Sequence, residues 1–270
     1  MIQPEQWHFE ENPDELFERY LVPAKFGPWA ADVVALGDPQ SGESVLDVAC
    51  GTGIGARIAA EAVAPNGKVV GLDIDPGMVE IARRSAVQSG VATEWHCGSA
   101  IEMPFADETF DLCLCLQGLQ FFPDRAQGFS EMHRVLKPTG RLVASIWWPI
   151  EHNKGHHALA QALERQNADA AAAKRPFSFG EAEEIKDMAE WAGFPAVEIQ
   201  TEERLSRFPS VEGFIDSLTS GAPSTRHALA QLPDDRKQDF IKDVKEMLTP
   251  YVEENGLNFP MRTHVVIATL

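Results

Sequence analysis

Short apolar runs alternate with segments of helical periodicity between residues 41 and 150. Uninterrupted apolar runs are typical of strands buried on both faces of a sheet, and helices between such strands indicate right-handed parallel crossovers. The pattern therefore predicts a doubly wound α/β sheet. Its first five predicted strands are Val45–Ala49, Lys68–Asp73, Thr93–Cys97, Phe110–Leu116 and Arg141–Trp147.

Capping residues mark where two of the predicted helices begin. Asp75 precedes Pro76, which suits an N-cap followed by a first-turn proline, and Asp124 precedes a second helix. After that helix, Lys137–Gly140 has the composition of a turn that leads into the fifth strand.

The pattern is less regular beyond residue 150. An Ala-rich segment over 156–173 is predicted to be helical, and an amphipathic helix is predicted over Glu181–Ala192. Val197 and Ile199 alternate with polar residues as in an edge strand, whereas the continuous apolar run at 264–268 suits the interior of the sheet.

These elements divide the chain into a core and two helical additions. The Rossmann-like core is predicted over residues 41–207, with its last strand over 259–270. Residues 1–40 are predicted to form an N-terminal helical cap. Residues 208–258 are helical in pattern and too long for a turn, so they are predicted to be an inserted cap that supplies acceptor specificity.

Charge and hydropathy limit the partners. The chain has 23 Lys and Arg against 41 Asp and Glu, a formal net charge of −18, which repels nucleic acids and anionic membrane surfaces. No apolar run approaches the roughly 20 residues of a membrane helix, and Met1–Tyr20 does not resemble a secretory signal. We therefore expect a cytoplasmic protein with no nucleic-acid or membrane partner; a homodimer stays open.

The cysteines are expected to be reduced core thiols rather than metal ligands. Two of the four, Cys113 and Cys115, form a close pair, but no second pair completes a tetrahedral site. The sequence therefore predicts no metal site. The others are Cys50 and Cys97.

A glycine-rich turn connects the first predicted strand to the first helix. Gly51 and Gly53 lie at the carboxyl edge of the sheet, where open α/β folds bind ligands. With Ala56 they also satisfy the dinucleotide pattern G-x-G-x-x-G/A, and Asp73 follows at the distance of a ribose-binding acid. Besides a turn that binds another ligand and a turn that binds a dinucleotide, the third alternative is a glycine turn that only packs a helix on a strand.

Asp47 helps to separate these alternatives. Its carboxylate lies close to the turn, where it would attract the cations of a sulfonium cofactor with an amino-acid tail and repel a dinucleotide pyrophosphate. Ser44–Trp147 resembles the class I S-adenosylmethionine-dependent methyltransferases, in particular small-molecule methyltransferases of the ubiquinone/menaquinone-biosynthesis type. The resemblance is carried by VLDVACGTG, VVGLDIDPGMVEIAR, G-x-A-x-x-x-PF from Gly98, FDLCLCLQGLQFFPD and MHRVLKPTGRLV.

The resemblance implies a Rossmann-like, seven-stranded, mostly parallel sheet with an antiparallel last strand, and it implies S-adenosylmethionine as cofactor. Ser99 departs from the family pattern, which usually has an acid there for the adenine amino group. A hydroxyl accepts that hydrogen bond more weakly. The implied cofactor contacts are Asp47, Gly51, Gly53 and Gln117 at the methionine end, Asp73 at the ribose, and Ile74, Met78, Ser99 and Ala100 at the adenine.

The acceptor side is predicted from position and chemistry. His152 follows the fifth strand and is the candidate general base, although with His156 and His157 it also suits a metal-binding or a solvated helix start. Aromatic side chains near the expected pocket favour an apolar or aromatic acceptor. The predicted acceptor contacts are Gln120, Phe121, Trp148 and Phe214.

These features predict an S-adenosylmethionine-dependent methyltransferase of small molecules. An NAD(P)-dependent oxidoreductase would share the glycine turn and Asp73, yet neither Tyr20 nor Tyr251 has the Tyr-x-x-x-Lys spacing. A non-catalytic S-adenosylmethionine-binding protein is the other alternative. The acceptor atom is not readable, because this fold supports many acceptors.

Overall fold

The computed structural model describes residues 12–89 and 93–270, except the side chains of 87–89, 220, 221, 223 and 224. Contacts within the chain divide it into two units. The unit that we call the sheet unit comprises residues 27–147, 179–202 and 263–270, and the helical unit comprises 148–178, 203–262 and the described residues up to Phe26.

The strands form a sheet of order β3-β2-β1-β4-β5-β8-β6. The sheet unit contains β1 to β5, β6 up to residue 202 and β8 from residue 263. The first five strands pair in parallel, whereas β8 pairs antiparallel with β5. The Rossmann-like, mostly parallel sheet with an antiparallel strand is thus confirmed, and a short eighth strand, β7, pairs with β8. The strands are β1 Ser44–Val48, β2 Lys68–Asp73, β3 Glu94–Cys97, β4 Phe110–Leu116, β5 Leu136–Trp147, β6 Ala196–Phe208, β7 Val252–Glu253 and β8 Gly256–Thr269.

Both faces of this sheet are covered, because alternate residues of β1, β2, β4, β5 and β8 enter two separate cores. On β1, Leu46 and Val48 pack in one core with Phe129. Val45 packs in the other with Ala59. The helices of the sheet unit are α2 Gly27–Leu36, α3 Ile54–Val63, α4 Pro76–Ser89, α5 Arg125–Val135 and α8 Ala182–Trp191.

Both predicted helix caps are present. Asp75 Oδ1 accepts a hydrogen bond from the Gly77 amide at 2.8 Å, and Asp124 Oδ1 accepts one from the Gln127 amide at 2.9 Å. Each bond satisfies an amide of the first helical turn, as expected for an N-cap aspartate.

The predicted turn at Lys137–Gly140 is wrong, because β5 begins at Leu136. Leu136 pairs with Phe110, and the pairing then shifts so that Arg141 opposes Leu112. Leu136 is buried against the core, so the strand starts there and the intervening polar residues form an irregularity within it.

The predicted helix over 156–173 is interrupted. Its first part is α6, Lys154–Arg165, and its second is the single turn α7, Ala171–Lys174. Asn167 has a φ of 52°, a left-handed conformation that ends α6.

The helical unit contains α1 Pro13–Leu16, a π-helical segment Phe17–Phe26, α6, α7, α9 Val211–Gly221, α10 Pro223–Ala230 and α11 Asp234–Leu248. Its segments belong to different predicted domains. The predicted cap over 1–40 divides at Phe26, and residues 148–178 join the helical unit rather than the core. Residues 1–11 of that predicted cap lie outside the described residues. Among the described residues, no helix has both the length and the hydropathy to cross a membrane.

Candidate functional site

The strand order reverses between β1 and β4, which creates the crevice where α/β folds bind ligands. Each of these strands is followed by a non-glycine residue with left-handed backbone: Ala49 has a φ of 55° and Gln117 a φ of 58°. Such conformations are uncommon outside glycine and concentrate at functional sites. A Cβ added at Gly118 would lie 2.6 Å from the Cβ of Ala49, so the two loops are in contact.

The two motif glycines are required for different reasons. Gly53 has a φ of 85°, and a Cβ there would lie 2.3 Å from the Trp95 ring. Gly51 has a φ of 53°, but open space surrounds its missing Cβ. Gly53 therefore allows the loop to pack on β3, whereas Gly51 leaves backbone accessible to a ligand.

Asp73, at the end of β2, connects the glycine loop to the next helix. Its Oδ2 accepts a hydrogen bond from the Gly51 amide at 2.8 Å, and its Oδ1 accepts one from the Asp75 amide at 2.9 Å. Burial raises the pKa of Asp73 more than these amides lower it. Each carboxylate oxygen has a second lone pair, so Asp73 can also accept hydrogen bonds from two ligand hydroxyls.

Asp47 is a buried carboxylate beside the same loop. Its Oδ2 accepts a hydrogen bond from the Ala56 amide at 2.7 Å. Its Oδ1 is buried with no hydrogen-bond partner among the described residues. Burial raises the pKa of Asp47 to about 7. An unpaired buried carboxylate oxygen is costly, so this atom suits a cationic or donor group of a ligand.

The residues predicted to surround an adenine lie near the end of β2. The Gly98 amide donates to the Asp73 carbonyl at 2.9 Å, which brings the half-buried Ser99 and Ala100 to this strand end. Ser99 Oγ already accepts a hydrogen bond from the Ile101 amide at 3.3 Å. Ile74 is 73% exposed, an unusual exposure for a large apolar side chain that fits contact with a flat ring. Met78, also predicted to contact the adenine, is buried in the first turn of α4.

Gln117 and Gln120 follow β4 in the sheet unit, and both are buried. Phe121 is in the same 3₁₀ turn, Leu119–Phe121, but is 40% exposed. The structure therefore places all nine predicted cofactor contacts, with Gln120 and Phe121, in the sheet unit.

The other predicted acceptor residues are in the helical unit. His152 is exposed, and its ring centroid lies 4.5 Å from that of the half-buried Trp148. Phe214 is fully buried, with ring centroids 5.0 Å from Phe208 and 5.1 Å from Phe259. These assignments stay predictions.

A buried pair in the helical unit was missed from the sequence. Lys25 Nζ lies 3.1 Å from His156 Nε2, although the residues are 131 positions apart. Burial lowers the pKa of Lys25 to about 7, and burial together with Lys25 lowers the pKa of His156 well below its usual range. The one sequence signal is a lysine inside the apolar run from Leu21 to Phe26. Within the described part of the chain, no three His, Cys, Asp or Glu side chains are grouped to hold a metal ion.

Comparison with known proteins gives consistent similarities. Residues 46–144 match the family model described as a methyltransferase domain. A demethylmenaquinone methyltransferase of Symbiobacterium thermophilum is 36% identical over 135 residues, which cover 49% of this chain and 53% of the relative. The chain thus matches only about half the length of such curated relatives.

Solved structures share the fold over most of the chain. A putative methyltransferase from Bacillus halodurans aligns with a TM-score of 0.60 at 23% identity, covering 89% of this chain and 97% of that one. The phosphoethanolamine N-methyltransferase 2 of Haemonchus contortus, solved with S-adenosyl-L-methionine, aligns with a TM-score of 0.56 at 20% identity, covering 90% of this chain and 52% of that one. At these identities, the similarities establish the fold alone.

Proposed function

From the match of residues 46–144 to the methyltransferase domain model, we propose that this chain is a class I S-adenosylmethionine-dependent methyltransferase of a small-molecule acceptor. One observation carries the choice of cofactor. The buried Asp47 Oδ1 has no partner among the described residues and lies beside a loop whose backbone is open at Gly51. A carboxylate there favours a ligand with cationic groups and opposes a pyrophosphate, which argues against an NAD(P)-dependent oxidoreductase.

The residues present fit S-adenosylmethionine. Asp47, Gly51, Gly53 and Gln117 would hold the methionine end, and Asp73 would accept the ribose hydroxyls. The adenine would lie among Ile74, Met78, Ser99 and Ala100. The open space at the Gly51 Cβ position and the unpartnered oxygen of Asp47 are features that a bound cofactor would complete.

When bound, S-adenosylmethionine supplies an electrophilic methyl group on an excellent leaving group. The chain must then align the acceptor and exclude water from the reacting atoms. A base is needed only for an acceptor that must lose a proton, and His152 is our candidate for that step. The candidate acceptor contacts are Gln120 and Phe121 in the sheet unit and Trp148 and Phe214 in the helical unit.

The acceptor class is proposed to be apolar or aromatic. The aromatic candidates Phe121, Trp148 and Phe214 support it, as does the name of the curated relatives, which are demethylmenaquinone methyltransferases. A cytoplasmic location, a homodimer and the lack of nucleic-acid partners remain predictions from sequence.

Methyl transfer can be tested with methyl-labelled S-adenosylmethionine and a panel of demethylmenaquinol, phenols, catechols and aromatic amines. We expect one class of acceptor to gain the label with an equal amount of S-adenosylhomocysteine released. Cofactor binding without transfer to any of these acceptors would instead favour the non-catalytic alternative. Failure to bind the cofactor would contradict the proposal.

A further inference from the structure

A chain of hydrogen bonds begins at a backbone carbonyl of β5. The Thr263 hydroxyl donates to the Ile146 carbonyl at 2.7 Å. Thr263 Oγ1 also lies 3.2 Å from the His264 carbonyl, which like the Ile146 carbonyl can only accept. Because the single hydroxyl hydrogen is directed to these carbonyls, Thr263 Oγ1 is the acceptor in its bond from Gln117 Nε2 at 2.9 Å. Both side chains are buried in the sheet unit. This contact therefore fixes which end of the Gln117 amide is the NH₂ group.

The fixed amide of Gln117 in turn orients Gln120. Gln117 Oε1 must face away from Thr263, and it accepts a hydrogen bond from Gln120 Nε2 at 3.3 Å. The hydrogen-bond network therefore determines which atom of the Gln120 amide is the nitrogen and which is Oε1. That Oε1 is buried and has no hydrogen-bond partner within the described part of the chain.

The network holds a costly, unsatisfied acceptor in one place. A buried amide oxygen without a donor loses the hydrogen bonds that water would supply. Three groups in series, Thr263, Gln117 and Gln120, nevertheless maintain it, and Gln117 has left-handed backbone. The turn that carries Gln120 begins beside Gly118, whose loop contacts Ala49 of the glycine loop.

We propose that Gln120 Oε1 accepts a hydrogen bond from an O–H or N–H group of the methyl acceptor, with Gln117 and Thr263 as positioning residues. This inference rests on the proposed function and adds a substrate class to it. The chain would select acceptors that carry a hydrogen-bond donor, such as phenols, hydroquinones or N–H heteroaromatics. Ethers or N-alkylated analogues of the same shape would leave Gln120 unpaired.

The test uses two matched pairs of probes that differ in one donor, 1-naphthol with 1-methoxynaphthalene and indole with 1-methylindole. Dissociation constants are measured by ligand-observed NMR on the whole chain saturated with S-adenosylhomocysteine. The unmodified protein should bind each donor about threefold to tenfold more tightly than its alkylated partner, as expected for one hydrogen bond. Gln120→Met should abolish this ratio.

Thr263 variants test the positioning role. Thr263→Val removes the hydroxyl that fixes Gln117 and should reduce the ratio, whereas Thr263→Ser keeps the hydroxyl and should restore it. A purely structural defect would weaken both members of each pair alike. Gln127→Met, at an exposed position on α5, is the matched control and should leave the ratio unchanged.

Two results would overturn the inference: no preference in the unmodified protein, or a donor preference that survives Gln120→Met. A surviving preference combined with a loss of S-adenosylhomocysteine affinity in Gln120→Met would place the donor on the cofactor instead. Failure of the proposed function is distinguishable, because it is read from other measurements: no binding of S-adenosylhomocysteine by the unmodified protein, or cofactor binding without methyl transfer to any acceptor. Thr263→Val and Thr263→Ser keep the test decisive if Gln120→Met does not fold.

Discussion

At the scale of single residues, Lys25 and His156 link folding to pH. Both are buried, and their side-chain nitrogens lie 3.1 Å apart. The pKa of Lys25 falls from 10.5 in the unfolded chain to about 7 in the folded one. Between these pH values the unfolded chain binds more protons than the folded chain. Lys25 therefore makes the free energy of unfolding rise as pH increases from about 7 to 10.5, and this stabilisation is lost again as pH falls to about 7.

Replacing Lys25 with Met should therefore flatten the pH dependence of stability. We expect Lys25→Met to raise the melting temperature at pH 7, because a buried amine is replaced by an apolar chain of similar length. The gain should shrink toward pH 10. Differential scanning calorimetry across this range measures it, with the exposed Lys242→Met as control. A gain that is constant with pH would contradict the assignment.

At the scale of elements, the β1–α3 loop combines two glycines with separate requirements. Both have positive φ, but a Cβ at Gly53 would collide with Trp95, whereas one at Gly51 would enter open space. Left-handed backbone alone costs alanine roughly 1–2 kcal/mol. The collision adds to that strain at Gly53. A side chain at Gly53 should therefore mainly lower stability, whereas one at Gly51 should also weaken ligand binding.

Alanine at each glycine tests this separation. Gly51→Ala should lower the free energy of unfolding by about 1–2 kcal/mol from strain and should also weaken S-adenosylhomocysteine binding. Gly53→Ala should destabilise more. Gly42→Ala is a matched control, because Gly42 has a φ of 92° and open space at its Cβ position but lies before β1, away from the site. Urea unfolding and calorimetry give both quantities. Equal effects of Gly51→Ala and Gly42→Ala on binding would argue against ligand contact at Gly51.

Features that depend on residues close together in the sequence were predicted correctly. The strand β4 and the cap at Asp75 depend on neighbours in sequence, and both were predicted correctly. The start of β5 was predicted wrongly, because it depends on the pairing of Leu136 with Phe110. The orphan oxygen of Gln120 also depends on a distant residue, since Gln117 and Thr263 are 146 positions apart.

At the scale of the whole molecule, the two units are each assembled from separated stretches of chain. The domains predicted from the sequence are contiguous, so the residues of the helical unit fall in three of them. In that unit, Phe214 packs against Phe208, Phe259 and His156, which come from β6, β8 and α6. Such a cluster has no signature at any one spacing.

Truncating this cluster should affect the two units differently. Phe214→Ala is expected to cost about 3–5 kcal/mol, lowering hydrogen-exchange protection mainly in the helical unit. Acceptor turnover should fall more than S-adenosylhomocysteine affinity, because the proposed cofactor contacts are in the sheet unit. Phe129→Ala, at a fully buried position in the core of the sheet unit, is the control and should reduce cofactor affinity. Equal loss of turnover and affinity in Phe214→Ala would contradict the division of roles.

We infer that the carboxyl edge of β1, β2 and β4 binds S-adenosylmethionine. Calorimetric titration with S-adenosylhomocysteine, and separately with NADH, tests it most directly on the unmodified chain, Asp73→Ala and the exposed control Asp187→Ala. S-adenosylhomocysteine should bind the unmodified chain and the control equally, and Asp73→Ala should weaken it by about 1.5–3 kcal/mol with an unchanged circular dichroism spectrum. NADH should not bind. Undetectable S-adenosylhomocysteine binding by the folded chain, or an affinity indifferent to Asp73, would contradict the claim.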